Sequence, residues 1–277
     1  MASLPRVRLI ALDLDGTLLN TQKLISARNR RALAEAIKAG VFVVPCSGRA
    51  LDFIPQEVLT LPGVRYVISS AGGAAFDLSS DTQLLNAPLS PAVVQEVLRL
   101  GRDAGFAAEC YTGRSVFTTP EAIRAALALV RDRDFAYLGR HSTEDLFAWA
   151  EEHAAEIVKL NLMFEDDALR SRVMRELGSR GDILLTSAST INLEVNAAGH
   201  GKGDTLRRLG ALLGVAPEEM LACGDQTNDL SMLDAVGYPV AMGNAAPEVL
   251  PHACWIAPTN EQDGVAAAVE KFVLAHG

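Results

Sequence analysis

The chain repeatedly places a short, unbroken apolar run before a helical pattern. Residues 7–14, through Leu9, Ile10, Ala11 and Leu12, carry such a run, as do VFVVP (41–45), RYVIS (65–69), MLACGD (220–225), YPVAM (238–242) and ACWIA (253–257). A strand with one solvated face alternates apolar and polar residues; an unbroken run is buried on both faces. Between the runs, Ser26 can cap a helix that extends to about Ala39, with Leu33, Ala36 and Ile37 as its apolar stripe and Gly40 as its stop. Further helices read at 203–213, near 228–236 and from about Gly264. Buried strands alternating with helices imply an α/β fold, a doubly wound parallel-sheet (Rossmann-like) core covered on both faces.

The stretch from about Leu84 to Thr190 follows another pattern. Helices read near 90–104, 120–132, 143–153 and 166–179, and IVKLNLMF (157–164) alternates more than the core strands do. DILLTS and TINLEV (182–195) read as an antiparallel pair across a Ser-Ala-Ser turn. The expected organisation is a core of residues 1–84 and 193–277 with an inserted α+β cap domain at 85–192. Hinges are expected near 81–88 and 187–197.

A formal charge of −9 argues against non-specific nucleic-acid or anionic-membrane partners, which select basic patches. No apolar run approaches the roughly 18 residues of a membrane-spanning helix. Cys46, Cys110, Cys223 and Cys254 form no C-x-x-C pair, and the short stretch before the first strand reads as no secretory leader, so none is expected. The expected location is cytoplasmic, with reduced thiols.

Polar clusters follow the core strands: Asp13-x-Asp15-Gly-Thr17, Ser47-Gly48-Arg49, Lys202 in GHGKGD, and Gly224-Asp225-x-x-Asn228-Asp229. In an open α/β sheet ligands bind at the strand C-termini, so these distant clusters can meet there. Asp13 and Asp15, two apart on a strand, would project from one face, and like charges held so close need a cation. Carboxylates, a lysine, a hydroxyl, an amide and glycines suit a hard cation beside a phosphate.

Each piece alone has a plainer reading. D-x-D-G is as often a turn, S-G-R a loop, Lys202 a surface lysine, and G-D-x-x-N-D a helix cap. DLDGTLLNTQKL lacks the ligands of an EF-hand loop. GHGKGD is no P-loop, with Asn196 at the first glycine position and Gly203 after the lysine. The conjunction, in this order and at strand ends, outweighs the separate readings.

DLDGTLL, SGR, HGKG and GDQTNDLSML, followed by AMGNA and DGVAAAV, resemble the haloacid dehalogenase superfamily. Within it the chain is similar to the Cof-like phosphatases, with their large α/β cap between the second and third motifs. The resemblance implies Asp13 as nucleophile and Asp15 as general acid and base. It implies Mg2+ held by Asp13, the Asp15 backbone carbonyl and Asp225, with Asp229 a further ligand or a partner to the ligands. Ser47, Gly48, Lys202 and Asn228 would bind the phosphoryl group. One departure stands out: SSAGGAAF has Gly72 where Cof-like proteins usually carry Asn, so Gly72 marks a tight turn or an altered contact. Glu109, Tyr111, Arg114 and His141 are candidate readers of the leaving group, each with cap surface as the plainer reading.

The expected function is a Mg2+-dependent phosphatase acting on small phosphorylated metabolites, sugar phosphates or similar monoesters. The alternatives are a phosphomutase using the same aspartyl-phosphate, and a non-catalytic phosphate-binding regulatory protein on the same scaffold.

Overall fold

The structure, a computed structural model, describes residues 5–129, 140–187 and 190–275. The chain begins with β1 (Leu9–Leu12), α1 (Ala27–Lys38), β2 (Phe42–Pro45) and α2 (Gln56–Leu59), then β3 (Tyr66–Ser69), β4 (Ala74–Asp77) and β5 (Thr82–Asn86). The inserted region holds α3 (Pro91–Ala104), β6 (Ala107–Tyr111), β7 (Val116–Thr118), α4 (Pro120–Leu129), β8 (His141–Ser142), α5 (Leu146–Glu152), β9 (Lys159–Met163), α6 (Asp167–Gly178), β10 (Ile183–Thr186) and β11 (Asn192–Ala197). The chain closes with α7 (Lys202–Leu213), β12 (Met220–Gly224), α8 (Leu230–Leu233), β13 (Tyr238–Ala241), β14 (Trp255–Ile256) and α9 (Gly264–Val269). The last residues of the helix expected at 120–132 lie outside the described residues, as does part of the turn between β10 and β11.

Among the described residues, the core is a five-stranded parallel sheet in the order β14-β13-β12-β1-β2. Its central strands β1 and β12 are buried on both faces. Ile10 and Leu12 pack with Leu33 of α1 and Val265 and Val269 of α9. Leu9 and Ala11 pack with Leu206 and Leu209 of α7 and Met232 of α8. Ser26 caps α1 by accepting from the Asn29 N–H, and Gly40, at φ +83°, follows its C-terminus.

One core strand differs from expectation. RYVIS contributes β3, which pairs antiparallel with β4 in a separate sheet of order β3-β4-β5 and joins β2 only by a parallel bridge between Cys46 and Ile68. The Cys46 N–H points to Leu12 O of β1 at 2.7 Å, so the flanking backbone nitrogens of Pro45 and Ser47 face β3. Pro45 has no N–H to give, and only Ser47 bonds across, to Ile68 O at 2.9 Å. The ladder therefore stops where the Ser47-Gly48-Arg49 turn begins.

The inserted region builds a sheet of order β10-β11-β9-β6-β7-β8. Alternation along its strands sorts the two faces. Cys110, Leu160, Leu162, Leu193 and Val195 join Val94, Val97 and Val173 of the covering helices in one cluster. Glu109, Tyr111, Lys159, Asn161, Asn192 and Glu194 take the other face, toward the core, and are buried there. Only a small apolar cluster of Ala50, Tyr111 and Val116, with Phe53 against it, spans the junction among the described residues. No described helix is long and apolar enough to cross a membrane.

Candidate active site

β1 ends at Leu12, so Asp13 and Asp15 lie just beyond it rather than on one strand face, and they occupy different surroundings. Asp13 is 7% exposed and held by its N–H to Cys223 O of β12. Its Oδ1 accepts from Lys202 Nζ at 2.6 Å, and the same ammonium donates to Asp229 Oδ1 at 2.7 Å. Lys202 is the first residue of α7 and is buried. Asp229 Oδ2 accepts the N–H groups of Asp225 at 2.9 Å and Gln226 at 3.1 Å, so both its oxygens already serve protein donors. Asp225 accepts from Thr17 Oγ1 at 2.9 Å and from Gln226 Nε2 at 3.3 Å. Gly16 lets Asp225 approach this closely: its φ is +85°, and a Cβ there would overlap the Asp225 carboxylate.

Carboxylate oxygens of Asp13, Asp225 and Asp229 lie within 4.8 Å of one another. One ammonium against three carboxylates leaves the cluster short of positive charge, and it retains protons. Burial, then Asp229, raises the Asp13 pKa well above the carboxylate range, against the pull of Lys202. Burial and then Asp229 raise Asp225 from 3.8 to about 6. Burial works to lower the Lys202 pKa, but Asp13 and Asp229 raise it well above its ordinary value.

Asp15 has the opposite balance. Burial works to raise its pKa, and Arg49 and Lys23 overcome this and bring it to about 2. Arg49 forms two bonds to the carboxylate, Nε to Oδ2 at 2.7 Å and a terminal nitrogen to Oδ1 at 2.8 Å. Lys23 Nζ adds a third at 2.8 Å. This arginine follows Ser47 and Gly48, and the Arg49 N–H donates to Ser47 Oγ at 3.2 Å.

Asp13, Asp15, Ser47, Gly48, Arg49, Gln226 and Asn228 line the core side of a cavity of about 200 Å3. Lys202, Asp225 and Asp229 stand behind Asp13. All eight residues singled out in the core motifs therefore meet at the C-terminal end of the parallel sheet. The cap sheet forms the other wall with Tyr111, Arg140, Lys159, Asn161, Asn192 and Glu194. Glu109 lies behind this wall, accepting from Asn161 Nδ2 at 2.9 Å, from Tyr111 OH at 3.3 Å and from Arg140. A larger cavity, about 620 Å3, lies on the helix side of that sheet between Leu98, Phe106, Phe147 and Leu169, and contains none of these groups.

Of the candidate leaving-group readers, Tyr111 reaches the cavity and Glu109 stands directly behind it. Arg114 instead pairs with Asp81 and lies over the Phe76 ring, and His141 is exposed and stacks on Phe117. Arg140, Lys159, Asn161, Asn192 and Glu194 were missed by motif reading. The signal that finds four of them is the alternation of polar residues in KLNLM and NLEVNA. At Gly72 the turn reading has a direct geometric cause: φ is +101°, a Cβ would overlap the Gly201 carbonyl, and Gly72 O accepts from Thr205 Oγ1 at 2.6 Å.

The chain belongs to the haloacid dehalogenase-like hydrolase family, whose model matches residues 10–269. It is 32% identical over 270 residues to the 5-amino-6-(5-phospho-D-ribitylamino)uracil phosphatase YcsE of Bacillus subtilis, covering 97% of this chain and 96% of that one. Phosphatase YwpJ of the same organism is 30% identical, with 94% and 98% covered. A solved haloacid dehalogenase-like hydrolase from B. subtilis superposes with a TM-score of 0.86 at 26% identity, over 96% of this chain and all of that one (100%). The protein is a phosphoric monoester hydrolase of this family.

Proposed function

We propose that the protein is a Mg2+-dependent phosphatase that hydrolyses small phosphorylated metabolites, sugar phosphates or similar monoesters, through an aspartyl-phosphate on Asp13. The observation that carries the reading is Asp13 itself. It is a buried carboxylate bonded to Lys202 and grouped with Asp225 and Asp229, and it opens onto a polar cavity of about 200 Å3. The cluster fits a hard divalent cation: its donors are oxygens, and its surplus negative charge is what such an ion offsets. Asp13, Asp225 and the Asp15 backbone oxygen would hold the ion, and Asp229, with both oxygens occupied, would orient Lys202 and the Asp225 loop. When bound, Mg2+ would neutralise phosphoryl charge as it develops in the transition state.

In this reading Asp13 attacks phosphorus and the ester oxygen leaves with a proton from Asp15; water, deprotonated by Asp15, then releases phosphate and restores Asp13. Ser47, the Gly48 N–H, Lys202 and Asn228 hold the phosphoryl oxygens. A carboxyl held at about 2 carries no proton at neutral pH, so Asp15 must exchange its bonds to Arg49 and Lys23 for the leaving oxygen before it acts as an acid. The cavity falls below the roughly 300–1,000 Å3 of drug-sized sites and is walled by amides and paired charges, which favours a small hydroxylated leaving group. YcsE, whose name specifies a ribityl phosphate, acts on a substrate of related chemistry. The division into a core and an inserted cap belongs to the same proposal, with the second boundary moved from 192/193 to beyond Ala197 because β11 pairs with β9 and β10, as does action in the cytoplasm with four unpaired cysteines.

The test is a screen of phosphorylated metabolites with Mg2+, scored by inorganic phosphate. Release from monoesters, absent in Asp13→Asn, supports the reading. Conversion to an isomeric phosphate without release identifies a mutase, and no turnover of any ester overturns the hydrolytic assignment.

A further inference from the structure

Lys159 is a fully buried cation that the proposed mechanism leaves without a role. It is 1% exposed, at the start of β9 in the inserted region. Its Nζ donates to Glu194 Oε1 on β11 at 2.7 Å and lies 4.0 Å from the centre of the Tyr111 ring. It also donates, at 2.6 Å, to a backbone oxygen of the other region, the carbonyl of Gly48. That carbonyl belongs to the peptide whose other end is the Arg49 N–H, and the Arg49 N–H donates to Ser47 Oγ. A continuous path thus runs from the Lys159 ammonium through one peptide unit to the hydroxyl proposed to bind phosphate.

The direction of each bond matters. An ammonium on the Gly48 carbonyl polarises the peptide and strengthens its N–H as a donor. With its oxygen accepting from Arg49, Ser47 has its own O–H proton available for a phosphoryl oxygen. The core holds both ends of this turn: Ser47 N–H bonds to Ile68 O, Ser47 O accepts from Ala71 N–H, and Arg49 O accepts from Ser70 N–H at 2.7 Å. The carbonyl of the Gly48–Arg49 peptide between them takes its bond from the inserted region. Glu194 fits the same purpose. A Cβ on Gly48 would come within 3.1 Å of Glu194 Oε1, so this carboxylate lies against the phosphate turn, where its charge would repel a phosphate. Lys159 neutralises it there.

We propose that Lys159, paired with Glu194, is a positioning residue: it orients the Ser47 hydroxyl through the Gly48–Arg49 peptide, so phosphate affinity depends on a side chain that does not touch phosphate. The proposal rests on the reading of Ser47 and Gly48 as the phosphate turn. Removing a bond of this kind weakens phosphate binding by roughly tenfold to a hundredfold, the range for a hydrogen bond to a charged group.

The test uses the full chain with Mg2+, an aryl phosphate as substrate and inorganic phosphate as inhibitor. Lys159→Met strands Glu194 as a buried unpaired carboxylate and can fail to fold for that reason alone; Lys159→Met/Glu194→Gln removes the pair together. The folded double variant is expected to show a raised Ki for inorganic phosphate and a raised KM, by about tenfold or more. Ser47→Ala is expected to raise the same constants. Adding it to the double variant should change them little further, because both act through one hydroxyl. A folded double variant with unchanged Ki overturns the proposal, as does full additivity with Ser47→Ala. If Ser47→Ala alone leaves Ki unchanged, the phosphate-turn reading falls and the proposal falls with it.

Discussion

Replacing Asp225 by Asn should make the metal-free protein more stable. In the folded chain Asp225 titrates near 6 instead of 3.8, because it is buried and faces Asp229. A raised folded-state pKa contributes stability that is complete below the unfolded value and is lost as pH rises through the folded one. Without metal, the stability of the protein therefore falls between about pH 4 and 6 by roughly 3 kcal/mol through this residue. Asn carries no such charge, and its carbonyl still accepts from Thr17 Oγ1. The bond from Gln226 Nε2 to the second oxygen is lost, at about 1 kcal/mol. The net gain is about 2 kcal/mol, or a rise in Tm of about 3 °C for a chain of this size. The assay is thermal unfolding in EDTA at about pH 7.5 and about pH 4.5. The variant should melt higher at the first pH and level with wild type at the second. Mg2+ should raise the wild-type Tm and leave that of the variant nearly unchanged. A variant no more stable than wild type at about pH 7.5, or a difference that persists at about pH 4.5, refutes the account of this cluster as a site short of positive charge.

Asp13→Asn should lower kcat on an aryl phosphate by at least about 10^3-fold while leaving the melting temperature in EDTA no lower than wild type, which a paired activity and melting measurement checks. Lys202→Met should destabilise the metal-free protein by about 3–5 kcal/mol, since it strands Asp13 and Asp229, with partial recovery as acid protonates Asp13; a pH series of urea transitions would contradict this by showing no dependence. Gly72→Ala forces a side chain at φ +101° against the Gly201 carbonyl and should cost about 1–3 kcal/mol, read as a lower urea midpoint at unchanged slope.

The core motifs were legible because sheet topology does the assembling. Once buried parallel strands are recognised, the residues after each strand must meet at one end, whatever their separation in sequence. What sits around those residues was less legible. Nothing in S-G-R announces that Arg49 clasps Asp15 and keeps it ionised. The joining of β3 by a single bridge turned on which way the Pro45 nitrogen faces, a matter of strand phase rather than composition. In the inserted region, Arg114 and His141 carry chemistry-bearing side chains but point to the surface, while Lys159, Asn161 and Glu194 stand inside. Their period-two placement between leucines and valines was the usable sign, and chemical type alone was not.

The sorting of the inserted sheet into an apolar and a polar face bears on how the two regions come together. The helix-covered face gains its stability from burying Leu160, Leu162 and Val195. The face turned to the core offers charges and amides, and the apolar cluster across the junction among the described residues is Ala50, Tyr111 and Val116 with Phe53 against it. A seam of this kind yields little hydrophobic free energy on closing, and its hold is polar: Lys159 to Gly48 O, Ser69 Oγ to Gly113 O, and the Leu51 and Asp52 N–H groups to Gly113 O and Arg114 O. A bound ester touching both walls would add polar contacts of the same kind. Release of phosphate would by itself remove that share of the hold.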